Sequence, residues 1–142
     1  MDMDLDPTRP PVQESCEEAV ILLDTNALIW SQRNHPRTRS LGRIHGRLYI
    51  SPASLLEMQI LAEGGRLRAR GDASPRDLVR DERWALDEPP SARWFDAALD
   101  VGWTHDVFDR LLVAHARMRR WRLATSDVSI IEHLNPNEYL EL

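Results

Sequence analysis

The sequence predicts an α/β fold organised around a mainly parallel sheet. Ala19 to Leu23 is a fully apolar run rich in β-formers, as expected of a strand covered on both faces. It ends at Asp24-Thr25-Asn26, three residue types that cap helices well. Beyond it, short strand patterns keep alternating with helical ones, which implies βαβ units. At 142 residues the chain fits one domain and can bury a core without disulfides or a structural metal.

The elements follow in order. A short helical pattern runs from the 24–26 cap to about Arg33, and a second helix is expected from Thr38 to His45. Arg47 to Ile50 reads as the second strand. Ser51 then caps a helix with Pro52 at its first position, and Gly64-Gly65 should stop it. The stretch 66–104 is less regular. It predicts a helix from Ser74 to Arg80, a short strand from Trp84 to Asp87, a break at Pro89-Pro90 and a helix from Ser91 to Leu99. Val107 to Arg119 is a helix, and Arg122 to Thr125 a strand. Ser126-Asp127 opens a short helix to about His133, Asn135-Pro136-Asn137 is a turn, and the last five residues suit an edge strand. Residues 1–18 carry three prolines, many acids and few apolar groups. They are expected to form a flexible tail before a folded domain at 19–142.

Composition excludes several classes. The longest aliphatic run, Ala19 to Leu23, is too short to span a bilayer, and the acidic start has no apolar segment of a secretory signal. Cys16 is the only cysteine, so there is no internal disulfide and no thiolate cluster for zinc. A cytoplasmic location is expected. The net charge of −5 resides in the first 18 residues, which hold six acids and one arginine; the rest has 17 acids and 17 bases. All 18 basic residues are arginine, which we read as composition bias.

Against this neutral body, four acids stand out: Asp24, Glu57, Asp109 and Asp127. Asp24 directly follows the first strand and Asp127 the 122–125 strand, so both belong at the carboxyl edge of a parallel sheet, where ligands bind. Glu57 shares its helical face with Ala53, Ile60 and Leu61. Asp109 shares its own with Leu112, Val113 and Ala116. An unpaired carboxylate on a core-facing surface is costly. Two carboxylates about 4 Å apart repel by roughly 4 kcal/mol at an effective dielectric near 20. Convergence of four therefore calls for a hard divalent cation. Oxygen donors without cysteine or a histidine pair favour Mg²⁺ or Mn²⁺, and such ions promote phosphodiester hydrolysis.

These residues resemble the PIN-domain family of metal-dependent nucleases, and most closely the VapC-type ribonuclease toxins of toxin–antitoxin pairs. Leu22-Leu23-Asp24-Thr25-Asn26-Ala27-Leu28-Ile29-Trp30 is similar to the first family motif, and Ile50-Ser51-Pro52-Ala53-Ser54-Leu55-Leu56-Glu57 to the second. His105-Asp106-Val107-Phe108-Asp109-Arg110 is similar to the third, with Val107 where proline is usual. Ala124-Thr125-Ser126-Asp127 is similar to the fourth. The resemblance implies a three-layer α/β/α sandwich around the sheet. It also implies Mg²⁺ or Mn²⁺ ligation by Asp24, Glu57, Asp109 and Asp127, directly or through water, with Asn26 and Thr125 beside the metals. It further implies an RNA substrate, a homodimer and a cognate antitoxin protein. The segment after Asp127 is short, and the usual last strand is hard to identify there.

Each residue also has a plainer reading. Asp24 and Asp127 suit helix caps, and Glu57 and Asp109 suit arginine pairs. Asp106 reads first as the cap of the 107–119 helix and second as an outer acid. His115 lies off the Asp109 face and reads as structural or exposed. His105 precedes the helix and is kept out of the catalytic set. The arginines at 66, 68 and 70, and at 117, 119, 120 and 122, read as solvated faces or partner contacts. The five tryptophans are expected in the core or an interface. Two other functions stand beside the toxin ribonuclease: a PIN-like nuclease of nucleic-acid processing, and a non-catalytic binding module of the same fold.

Overall fold

The computed structural model describes residues 19–44, 46–67 and 74–142. The expected acidic tail, His45 and the arginines at 68 and 70 lie outside them. Strand β1 (Ala19–Leu23) leads into α1 (Thr25–Gln32), a 3₁₀ turn (Pro36–Thr38) and the one-turn α2 (Arg39–Gly42). Then come β2 (Gly46–Ile50), α3 (Pro52–Glu63), the short α4 (Pro75–Leu78) and β3 (Ala85–Leu86). A helical hairpin of α5 (Ser91–Leu99) and α6 (Val107–Arg119) precedes β4 (Arg122–Thr125), α7 (Val128–His133), a 3₁₀ turn (Pro136–Glu138) and β5 (Tyr139–Glu141).

All five strands are parallel, in the order β3-β2-β1-β4-β5. The chain builds outward from β1 through β2 to β3, then crosses back and places β4 on the other side of β1. The strand order therefore reverses between β1 and β4, where a parallel sheet leaves a crevice at its carboxyl edge. Ile21, Leu22 and Leu23 lie opposite Arg122, Leu123 and Ala124, so β1 and β4 end level with one another. At the opposite end of β1, Gly46 meets the Ala19 backbone so closely that a Cβ would lie 1.9 Å from the Ala19 carbonyl oxygen. Only glycine fits that approach.

Alternation along the strands splits the core in two. Ile21 and Leu23 of β1 and Ala124 of β4 face Ala27, Leu28 and Ile29 of α1, Leu41, Met58 and Trp84. Leu22 and Leu123 face the other way, onto Trp94 and Ala98 of α5, Leu112, Val113 and Ala116 of α6, and Ile130 of α7. The sheet thus carries helices on both faces. Trp84 and Trp94 are buried with their indole N–H groups donating to the Leu78 and Leu111 carbonyls, and none of the five tryptophans is exposed.

The structure bears on several expectations. Of the helix expected at 38–45, the described residues form a single turn at Arg39–Gly42, preceded by a 3₁₀ turn at Pro36–Thr38. The edge strand expected in the last five residues is present as β5, pairing in parallel with β4. Of the two readings of His115, structural or exposed, the structural one holds, and the ring is wholly buried. Its Nε2 lies 2.7 Å from Asp87 Oδ2, and Arg119 Nε donates to the same oxygen at 2.9 Å. Burial holds the His115 ring below its ordinary range against the pull of Asp87, so it is neutral at pH 7 with its proton on Nε2. Arg117 pairs with Glu138. Arg117 and Arg119 therefore brace the fold rather than form a free basic face.

Asp87→Ala strips the buried imidazole of its acceptor. It should lower stability by about 2 kcal/mol in urea unfolding, with Asp87→Asn costing less because its carbonyl still accepts. A loss below about 0.5 kcal/mol in Asp87→Ala would show that the contact is incidental.

Candidate functional site

The carboxyl edge of the sheet opens into a cavity of about 140 Å³ lined by Asp24, Thr25, Asn26, Glu57, Asp106, Asp109, Leu112 and Asp127. All four sequence-predicted acids line it. Asn26 stands at its exposed lip. Thr125 is fully buried and acts from behind: its hydroxyl donates to the Asp24 carboxylate and accepts from the Asp127 backbone N–H at 3.0 Å. A larger groove of about 570 Å³ between α3 and α4 has only Glu63 and Arg76 as charged lining residues, and the acids do not meet there.

Local chemistry fixes each acid. Asp24 ends β1 and caps α1, with Oδ1 accepting from the Ala27 N–H at 2.7 Å. Asp106 caps α6 through the Phe108 and Asp109 N–H groups, and Asp127 caps α7 through those of Ser129 and Ile130. The capping readings and the cavity reading therefore hold together: a capping carboxylate keeps lone pairs that face the crevice. Glu57 and Asp109 are not caps. Asp109 extends from the first turn of α6 above buried Leu112, Val113 and Ala116. The apolar face expected around Glu57 is only half present. Ala53 is buried, but Ile60 is exposed, because the buried stripe of α3 runs through Ala53, Ser54 and Met58. Glu57 sits at the boundary of that stripe.

Sequence reasoning missed two residues. Thr25 is buried and its hydroxyl donates to Glu57 Oε1 in a short hydrogen bond, with Ser54 Oγ 3.2 Å from the same hydroxyl. Ser54 lies one helical turn before Glu57, and Thr25 directly follows Asp24. That adjacency was the available signal. Asp106, read second as an outer acid, both caps α6 and lines the cavity.

Among the described residues no arginine lines the cavity and no ion pair satisfies any of the four acids. Arg110, the sequence neighbour of Asp109, donates instead to the Thr104 carbonyl. The electrostatic consequence is large. Burial pushes Asp24 up to about 6, opposed by the Thr125 and Ala27 hydrogen bonds and reinforced by Asp127 and Glu57. Burial, then repulsion from Asp106, Asp127, Glu57 and Asp24, pushes Asp109 up to about 7. Burial also raises Glu57, against the Thr25 hydrogen bond.

Among the described residues no three His, Cys, Asp or Glu are gathered tightly enough to form a ready-made metal cage. Capping bonds fix Asp24, Asp106 and Asp127 at the starts of three different helices. The donor set nevertheless suits a hard cation: it offers only oxygen, is strongly anionic and lacks internal compensation.

The comparisons agree with this architecture. A family model of the PIN domain matches residues 21–133. Among solved structures, VapBC2 from Rickettsia felis bound to a DNA fragment from their promoter superposes with a TM-score of 0.63 at 15% identity, covering 87% of this chain and 98% of that one. VapBC from Salmonella typhimurium, also DNA bound, gives 0.59 at 18%, covering 87% and 98%. PAE2754 from Pyrobaculum aerophilum gives 0.57 at 21%, covering 87% and 89%. At such identities the likeness speaks to the fold. No curated protein matches the chain. The matched model covers most of the chain and all four acidic motifs, and the chain belongs to the PIN-domain family.

Proposed function

We propose that this protein is a Mg²⁺- or Mn²⁺-dependent endoribonuclease and the toxin of a toxin–antitoxin pair. One observation carries the reading: five acids line one small cavity at the sheet's topological switch point, with no cationic side chain of the described residues in its lining. Asp24, Glu57, Asp109 and Asp127 would hold the metal. A bound divalent ion would stabilise charge on the phosphoryl oxygens and make water a better nucleophile near neutral pH. Asp24 and Asp109 titrate close to neutrality, so they exchange protons for a cation at little cost. Thr125 keeps Asp24 and Asp127 in register, Thr25 aims Glu57, and Asn26 offers an amide to water or phosphate at the lip. The toxin role and the protein partner draw support from the VapBC complexes that share this fold; a homodimer and a cytoplasmic location complete the proposal. Among the described residues no helix is long and apolar enough to cross a membrane.

Asp24→Asn and Asp109→Asn should each lower metal-dependent cleavage of single-stranded RNA by ~10²-fold or more, with the circular dichroism spectrum unchanged. Full activity in both purified variants contradicts the assignment. Growth arrest on expression, relieved by the product of a neighbouring gene, supports the toxin role. Cleavage without arrest points to a processing nuclease, and absence of metal binding to a binding module.

The raised carboxyls also set a pH dependence. Both values lie above the unfolded value of 3.8, so the stability conferred by protonation is full below about pH 4 and is lost as pH rises through about 6 and 7. In EDTA, the melting temperature of Asp109→Asn should therefore exceed that of the wild type increasingly from about pH 5 to about pH 8. Mg²⁺ should narrow the gap. A pH-independent difference argues against crowding at Asp109.

A further inference from the structure

From Thr25 to Leu56 the chain contains five arginines (33, 37, 39, 43 and 47) and no aspartate or glutamate. Asp24 and Glu57, two walls of the acidic cavity, bound this stretch on either side. A polyanionic strand approaching a cavity of five acids meets repulsion, and α1 leads from that cavity to a dense cationic segment.

The geometry leads outward from the cavity along α1. Asn26 lines the cavity, and Trp30 is four residues on, hence on the same face and about 6 Å further along the axis. Asn34 adopts a left-handed backbone (φ 54°) and turns the chain back over that face. His35 then stacks on Trp30 with ring centroids 5.4 Å apart, and the Arg37 guanidinium stands 5.1 Å over the Trp30 ring. His35 Nδ1 accepts from the Arg37 backbone N–H at 3.1 Å, which leaves the ring proton on Nε2. His35, Arg37, Arg39 and Arg43 are exposed, and among the described residues no acid pairs with these arginines. By contrast Arg83, Arg117 and Arg119 are tied to Asp81, Glu138 and Asp87. Arg33 and Arg47 engage other groups.

We propose that residues 35–43, anchored on Trp30, form the track that holds the RNA strand as it leaves the acidic cavity. Arg37, Arg39 and Arg43 neutralise successive phosphates, and the Trp30–His35 pair provides an aromatic platform for a base. The assignment rests on the ribonuclease reading of the adjoining cavity. Stacking tolerates any base, so the track confers affinity for single strands rather than sequence choice.

The test uses the full chain carrying Asp109→Asn, which should bind RNA without cutting it, and a fluorescent single-stranded RNA oligonucleotide followed by anisotropy across a salt series. Adding Arg37→Ala and Arg39→Ala should weaken binding by ~10-fold or more and reduce the slope of log affinity against log salt by about 1.4, the release expected for two single-strand phosphate contacts. Trp30→Ala should weaken binding by ~5-fold or more. Arg93→Ala on α5 serves as a control and should change neither quantity. Affinity and slope unchanged in the double variant, or no binding by the parent, overturns the track. Wild-type cleavage is read separately on gels. Salt-dependent binding lost in the double variant, with no cleavage by the wild type, supports the track and rejects the nuclease.

Discussion

Repulsion among carboxylates is the constraint around which this fold is arranged. Five acids share one cavity of about 140 Å³, and among the described residues no cationic side chain lines it. Three of them are held by helix N-termini: Asp24 by α1, Asp106 by α6 and Asp127 by α7. Each takes backbone N–H donors that would otherwise lack partners, and each lies at the positive end of a helix dipole. These contacts offset part of the cost of gathering so much negative charge. Glu57 relies on one threonine hydroxyl. Among the described residues Asp109 has no hydrogen-bond donor to its carboxylate, and it is pushed furthest, to about 7. The remaining frustration is what a cation would relieve.

The sheet order creates the meeting place. Because β1 and β4 are neighbours at the point of strand reversal and end level, the residues that follow them, Asp24 and Asp127, emerge together from positions far apart in the chain. Thr125, the last residue of β4, ties the two with one hydroxyl. Helices α3 and α6 touch on the same edge and add Glu57 and Asp109. A small displacement of either helix would separate these acids, so the two apolar layers that fix the helices against the sheet also fix the site.

Much of this was legible in the sequence because the signals are local. The apolar run 19–23, the Ser51-Pro52 start and the Gly64-Gly65 stop each encode an element by short-range chemistry, and the structure places β1 and α3 there. The four acids were legible because a carboxylate beside a core-facing stripe lacks a cheap structural explanation. What failed to show was non-local. Partners such as Thr25 for Glu57, and Asp87 for His115, are 32 and 28 residues apart and leave no periodic trace. The helix expected at 38–45 is reduced to one turn ending at Gly42, a residue of poor helix propensity. Exposure of Ile60 was hidden too: an apolar residue at the right spacing does not reveal how far the neighbouring layer extends.

The arrangement links charge to function through protons. Burial and crowding push the Asp24 and Asp109 carboxyls up to about 6 and about 7, so a divalent cation binding there would displace protons. Calorimetric titration of Mn²⁺ into the metal-free protein near pH 6, repeated in buffers of different ionisation enthalpy, measures binding and proton release together. The account predicts saturable binding with release of on the order of one proton per ion, abolished in Asp24→Asn. Absence of a saturable signal, or the same binding and proton release in Asp24→Asn, would contradict it.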